Sequence, residues 1–259
     1  EVANLAELQA ALTDVNVGTI TLTADISGIT ETLVIPVGHP LTLNGGGFTL
    51  SFTNLEADGG MPGVDDGLTI QDVATVSDLT VDAGLASPTL WDGTYAIHVF
   101  NTSATLNNVT VRNGNGGMLI KNSTVTLTGA INVSDNGFGG IESTGASAVL
   151  DVGGATFTNS DEAYGFPTVW EDGVTGITVT DAGDFTRITK GSQYQYYLVP
   201  ANSLDSAEVA NLQAVIDQIA ALPAVANLAL PGTAVSDART SYEALSPTQK
   251  GLVTNLSTL

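Results

Sequence analysis

One pattern is written three times between residues 96 and 160: AIHVFNTSATLNNVTVRNG (96 to 114), MLIKNSTVTLTGAINVSDNG (118 to 137) and GIESTGASAVLDVGGATFTNS (140 to 160). Aligned on Val99, Ile120 and Ile141 the copies step by 21 and 21 residues; Leu106, Leu127 and Leu150 step by 21 and 23, and Val111, Val133 and Phe157 by 22 and 24. Each copy holds two or three short alternations of apolar and polar residues, punctuated by Asn, Asp and Gly. No single copy can bury its own apolar face, so successive copies must stack and share one core. The period therefore predicts a parallel β-solenoid.

The same register extends in both directions. Residues 19 to 26, 33 to 35 and 41 to 52 carry strand signals, with Leu41, Leu43, Phe48 and Leu50 expected inward around a Gly turn. In residues 68 to 84, Ile70, Val76 and Val81 correspond to Val99, Leu106 and Val111 one rung later. A looser rung follows with Val169, Ile177 and Val179, and a Tyr-rich strand (Tyr194, Tyr196, Tyr197) closes the solenoid near Pro200. Residues 1 to 13 space Val2, Leu5, Leu8 and Leu12 as one helical face, a cap for the exposed edges of the first rung. Ala83, Asn113, Asp135, Asn159 and Asp181 recur two residues past the last inward position. Asn and Asp tolerate left-handed backbone, so these form a structural corner ladder rather than a calcium site.

At Ser203 the pattern turns helical. A capping box at Asp205 and Glu208 precedes Val209, Leu212, Val215, Ile216 and Ile219; a second helix carries Val235, Ala238, Tyr242 and Leu245; a third starts at Ser246 with Pro247 and Gln249, and is expected to bury Leu252, Val253 and Leu256. The expected domains are a β-helix over 1–200, with its cap helix at 1–13, and a three-helix module over 203–259.

Six Lys and Arg stand against 27 Asp and Glu, a formal charge of −21. That charge repels phosphate backbones and anionic lipid, so no nucleic acid is expected as a partner. No run of eighteen apolar residues exists, so no membrane insertion is expected either. There is no Cys to form disulfides or thiolate sites. The start within a helical pattern is as expected after removal of a signal peptide or trimming of the chain, and the Thr-, Asn- and Gly-rich composition suits an extracellular or cell-surface protein.

The cap helix, TITLTADI, LTLNGGG and the N-G and D-N-G corners over residues 1 to 200 resemble the right-handed β-helix of the pectate-lyase-like fold found in adhesin-like surface proteins of Gram-positive bacteria. ARTSYEALSPTQKGLVTNLSTL is similar to the small helical repeat modules of such proteins. The resemblance implies a fold that hosts lyases, hydrolases, tailspikes and inert stalks alike, so chemistry must be sought in particular residues.

Insertions at 53 to 67, 84 to 95 and 160 to 168 leave from one corner and gather Asp65, Asp66, Trp91, Asp92, Tyr95, Tyr164 and Phe166 on one side. Beside them runs an expected outward column, Phe100, Lys121, Glu142 and Trp170, with Glu171 and Asp172 at its end. Aromatic rings next to carboxylates suit sugar rings, and the alternative is that the aromatics only pack the loops onto the wall. Asp65 and Asp66 are weak candidates for a metal; otherwise no cofactor is expected, with calcium possible in principle. Lyases that this fold resembles use an Arg or Lys near calcium-holding Asp residues. Lys121 beside Glu142 is the one basic group on the column, and Arg112 lies towards the other end of the rung, so that arrangement is incomplete. Echoes of polygalacturonase motifs (residues 101 to 103, 65 and 66, 38 to 40, 187 to 190) occur in the wrong order and are taken as chance. The same holds for the sortase-like LPGTA at 230 to 234 and the sequons at Asn101, Asn108, Asn122, Asn132 and Asn255. His98 is expected to point outward. These residues predict a non-enzymatic surface protein, an adhesin-like module or a subunit of a surface layer or filament. Its expected partners are other surface-protein subunits or glycans, or further copies in a homopolymer; the alternative is a polysaccharide lyase or glycoside hydrolase on the same scaffold.

Overall fold

The computed structural model describes residues 1–53, 55, 66–86, 93–137, 139–145, 147–157, 168–171, 178–180, 185–189, 195–200, 206–222, 233–253 and 256–259. The chain divides into two compact units, Glu1–Gly183 and Asp184–Leu259. The division falls ahead of the boundary expected near residue 200.

The first unit opens with helix α1 (Leu5–Thr13) and continues as strands β1 (Thr19–Thr21), β2 (Ile26–Ile29), β3 (Leu33–Ile35), β4 (Leu41–Asn44), β5 (Thr49–Phe52), β6 (Leu68–Ile70), β7 (Ala74–Asp82), β8 (Tyr95–Phe100), β9 (Ser103–Arg112), β10 (Gly116–Lys121), β11 (Thr124–Ser134), β12 (Gly139–Thr144), β13 (Val149–Phe157), β14 (Thr168–Glu171) and β15 (Thr178–Thr180). Pairing skips two strands in the first coils and one strand from β6 onward. One sheet runs β1-β4-β7-β9-β11-β13-β15 and the other β3-β6-β8-β10-β12-β14, all parallel, with β2 and β5 alongside the first. The first two coils thus contribute three short strands each and the later ones, from β7, a long and a short strand, which is the expected parallel β-helix.

The core lies between the two sheets and is built by ladders of like residues. Val76, Leu106 and Leu127 stack in register, as do Val81, Val111 and Val133, and all six are fully buried. Burying a Leu, Ile or Val side chain stabilises by about 1.5–3 kcal/mol, and here every coil supplies several. Leu41, Leu43 and Leu50 are buried as expected, whereas Phe48 is half-exposed and Phe52 takes its place inside.

Three corners bend each coil, and each is a column of left-handed residues. Asn101, Asn122 and Gly145 have φ of 52°, 50° and 92°; Asp78, Asn108 and Gly129 have 52°, 52° and 66°; Asn113 and Asp135 have 57° and 59°. Only the last column is part of the ladder expected from sequence, whose Asn159 and Asp181 lie outside the described residues. The side chains bond from coil to coil: Asn113 Nδ2 donates to Asp82 Oδ1 and Asn108 Nδ2 to Asp78 Oδ1, each at 2.9 Å, and Asn108 Oδ1 accepts from the Ala130 backbone at 2.9 Å. Three of the sequon asparagines are therefore corner residues.

The third repeat corrects the alignment. Ile120 pairs with Ser143 rather than Ile141, which instead follows Ile97 and Met118. Leu150 follows Ala104 and Val125 rather than Leu127, and Phe157 follows Ile131 rather than Val133. Two added residues cause the shift between β10 and β12. One is a bulge in β11 between Thr128 and Asn132, and the other lies in the corner between Ser134 and Gly139.

The N-terminal residues also differ from expectation. The helix begins at Leu5, with the Asn4 side chain accepting from Glu7 N at 3.1 Å and Glu7 Oε2 accepting from Ala3 N at 2.8 Å. Val2 lies outside the helix, bridged to Leu22 as an added strand residue. Leu8 and Leu12 are buried by the helix.

The second unit pairs strand β16 (Phe185–Thr189) antiparallel with β17 (Gln195–Pro200) and adds helices α2 (Ser206–Ala220), α3 (Ala234–Glu243) and α4 (Pro247–Gly251). Leu212, Val215, Ile216, Ile219, Ala238, Leu245, Leu252 and Val253 form its core, while Leu256 is exposed, against expectation. The Ser246–Gln249 capping box is present with both of its bonds, and Gln249 Nε2 also donates to Glu208 O at 2.7 Å, tying α4 to α2. Tyr194 and Asp205 lie outside the described residues.

Candidate functional site

Strand alternation sets Thr69, His98, Leu119 and Glu142 on the face opposite the inward Ile97, Val99, Met118 and Ile120. Phe100 and Lys121 continue that outer face and lead to Thr144. The expected single column of Phe100, Lys121, Glu142 and Trp170 is thus two columns, with Trp170 in register with Glu142 and Lys121 in register with Thr144. The cause is the two-residue shift above. It keeps every residue on its face and moves it one place along.

An outer face of a solenoid is ordinarily wet, but this one is buried. Thr69 and His98 are 0% exposed, and Tyr95, expected on the loop side, is 0% exposed as well. His98 Nδ1 donates to Asp66 Oδ2 at 2.7 Å, and Asp66 Oδ1 accepts from Tyr95 N at 3.0 Å, with Asp66 itself 1% exposed. The Tyr95 hydroxyl donates to Glu142 Oε2 across the intervening coil. His98 meets the Phe100 ring edge-on, with centroids 5.9 Å apart. His98 Nε2 is buried with no hydrogen-bond partner among the described residues, the neutral ring's natural acceptor once Nδ1 carries the proton.

Asp66 was a weak metal candidate by sequence, but both its oxygens serve Tyr95 and His98. Among the described residues no three His, Asp or Glu side chains are gathered as a metal ion would require. Phe100, Lys121 and Glu142 are half-buried on this face. Arg112 is spent elsewhere, with Nε bonded to Asp82 Oδ2 at 2.9 Å. Asp65, Trp91, Asp92, Tyr164, Phe166 and Asp172 lie outside the described residues, as do 56–65, 87–92 and 160–167 of the insertions. For Trp170 and Glu171 the strand position is described and the side chain is not.

The burial of Tyr95, His98 and Asp66 escapes sequence reading, since alternation tells which face a residue is on and not what lies over it. A signal existed in the run Tyr95–Val99, which has five residues without one Lys, Glu, Asp or Arg.

Residues 1–184 match the pectate lyase-like adhesive domain family. The chain belongs to that family. No curated protein and no solved structure matches it. The matched span ends within one residue of the boundary between the two compact units. No helix among the described residues is long and apolar enough to cross a membrane.

Proposed function

We propose that this chain is a non-enzymatic, extracellular adhesin-like module whose solenoid holds a glycan against the outer face formed by β8, β10 and β12. The observation that carries the reading is the membership of residues 1–184 in a family of adhesive domains. The side chains support it. The acids that a lyase or hydrolase would use at this face, Asp66 and Glu142, are already hydrogen-bonded to Tyr95 and His98. What remains for a ligand is the half-buried Phe100 ring and the Lys121 ammonium, an apolar surface beside a polar group, as a sugar ring requires. Trp91, Asp92, Tyr164, Phe166 and Trp170 belong to the same contact in this reading.

The cap helix favours a module over a filament subunit. α1 packs against β2 and β3, which begin the solenoid, and a covered edge does not recruit the end of another copy.

Immobilised neutral and acidic polysaccharides, probed with the intact chain, test the proposal. Binding without release of shorter or unsaturated sugars is expected, weakened at least about fivefold by Phe100→Ala or Lys121→Ala. Turnover of any of these polysaccharides would favour the enzyme reading and overturn this one. Ordered polymers in light scattering and negative-stain images would move the function to a structural subunit.

A further inference from the structure

His39 lies in the turn between β3 and β4 and is 1% exposed. Its Nδ1 is 2.9 Å from the carbonyl oxygen of Leu12, and its Nε2 is 2.6 Å from that of Val17. A carbonyl oxygen only accepts. A neutral imidazole carries a single N–H, so in that form one of the two contacts would set a nitrogen lone pair against an oxygen lone pair in a buried place. The imidazolium satisfies both.

The surroundings suit a cation. Leu12 is in the last turn of α1, where the final carbonyls have no partner within the helix and the helix dipole favours positive charge. Asp72 Oδ2 accepts from the His39 backbone N–H at 2.8 Å and from Gly38 N–H, which brings a carboxylate to the same turn from the next coil. Asp14 is the residue that ends α1. Its carboxyl is held below the usual range first by the backbone N–H of Asn16, then by the Asn16 side chain, and also by attraction to His39, with desolvation acting the other way. Glu7, the titratable residue within α1, lies in its first turn, at the opposite end of the helix. β1, β3 and β4 contribute no titratable side chain to this region. The charged groups around the turn are therefore Asp14, which attracts the ring, and Asp72, which holds the His39 backbone.

The three residues joined by the ring belong to different parts of the fold: Leu12 to the cap helix, Val17 to the entry of β1, and His39 to the turn that ends β3. We propose that His39 is a proton-dependent clamp on the N-terminal cap. As the imidazolium it fastens the C-terminal end of α1 and the start of β1 to the β3–β4 turn. When the ring loses a proton one carbonyl loses its donor, and the cap loosens over the strands it covers. The clamp is present at low pH, where the ring carries both protons, and is lost when rising pH removes one of them. It depends on the geometry of the cap alone and is independent of what the solenoid binds.

Nitrogen-15 spectra of the histidine rings and hydrogen exchange of the α1 amides, both on the intact chain, test it. At pH 6 both ring nitrogens of His39 are expected to be protonated. The protection factors of the α1 amides, corrected for the intrinsic pH dependence of exchange, are expected to fall about tenfold between pH 6 and pH 9, the worth of one buried hydrogen bond. In His39→Gln they are expected to be low at both pH values. A singly protonated His39 ring at pH 6, or protection in the native chain that does not change with pH, overturns the proposal. Should His39→Gln not fold, the native chain's ring spectra and exchange decide it.

Discussion

Replacing Asp66 by Asn tests whether the buried polar groups under the outer face belong to the fold. The side-chain amide introduced by Asp66→Asn keeps an oxygen to accept from the Tyr95 N–H, at 3.0 Å in the native chain, but turns its NH2 group toward His98 Nδ1. The ring must then change tautomer, accepting at Nδ1 and carrying its proton on Nε2, which is buried and has no partner among the described residues. Two costs follow. A charge-assisted bond becomes a neutral one, a loss of about 1 kcal/mol, and an unsatisfied N–H is created, at about 1–3 kcal/mol. The total is about 2–4 kcal/mol. For a unit of this size that corresponds to a fall in Tm of about 4–16 °C. His98→Leu leaves the Asp66 carboxylate with one donor fewer and should cost a comparable amount. The double variant Asp66→Asn/His98→Leu should cost less than the sum of the two, with a coupling of about 1.5–3 kcal/mol in urea unfolding. Single variants within about 0.5 kcal/mol of the native chain, or additive effects, would refute the idea that this pair is a structural bond of the solenoid.

Gly117→Ala should destabilise the solenoid by about 3 kcal/mol in the same assay, because its Cβ would lie 2.5 Å from Gly140 O and 2.6 Å from Val133 Cγ1 in a fully buried part of β10. Asn113→Ala should cost about 1–2 kcal/mol and Asn113→Gly less, since φ is 57° and both lose the bond to Asp82 but only alanine is strained. Asp14 has a carboxyl lowered in the folded state, so its contribution to anchoring α1 is present above the unfolded value of 3.8 and is lost as the pH falls through the folded one. The protection factors of the α1 amides, corrected for the intrinsic pH dependence of exchange, should accordingly fall in acid for the native chain and not for Asp14→Asn. Arg112→Ala should change stability by no more than about 1 kcal/mol, because the guanidinium is 43% exposed and its bond to Asp82 is largely screened.

The inward ladders were legible because Val, Leu and Ile recur with a period of two inside a period near 21, and a strand that slipped by one residue would turn all of them outward. That same rule explains which error was tolerable. The second repeat is two residues longer between β10 and β12, so Ile141 was matched to the wrong neighbour yet placed on the right face. Neither added residue has a marker of its own: the bulge between Thr128 and Asn132 sits in a Gly-Ala-Ile run, and the corner before Gly139 is one more Asn- and Gly-rich turn among many. Two of the three left-handed corner columns were missed for a related reason. Asn101 and Asn108 look like any polar residue of an alternating strand until the backbone is bent there. The Ser246 capping box was fully legible, because a cap is local and its partners lie three residues apart.

The charge distribution limits how an adhesive contact can be made. Before residue 184 the chain has two basic residues, Arg112 and Lys121, against 21 Asp and Glu, a balance of 2 − 21 = −19. Arg112 is paired with Asp82, and no partner for the Lys121 ammonium occurs among the described residues. A highly charged acidic polymer must approach through the field of the whole solenoid to reach that single ammonium, whereas a neutral glycan is not repelled. At roughly 0.15 M salt the field decays over about 8 Å, so contact at Lys121 is governed by its neighbours and approach by the whole molecule. Added salt should therefore leave binding of a neutral glycan to the Phe100–Lys121 face nearly unchanged, and should strengthen binding of a polyanion by speeding its association. Binding of a neutral glycan that falls steeply as salt rises would contradict the assignment of that contact to an aromatic surface with one ammonium, and would place the contact elsewhere on the chain.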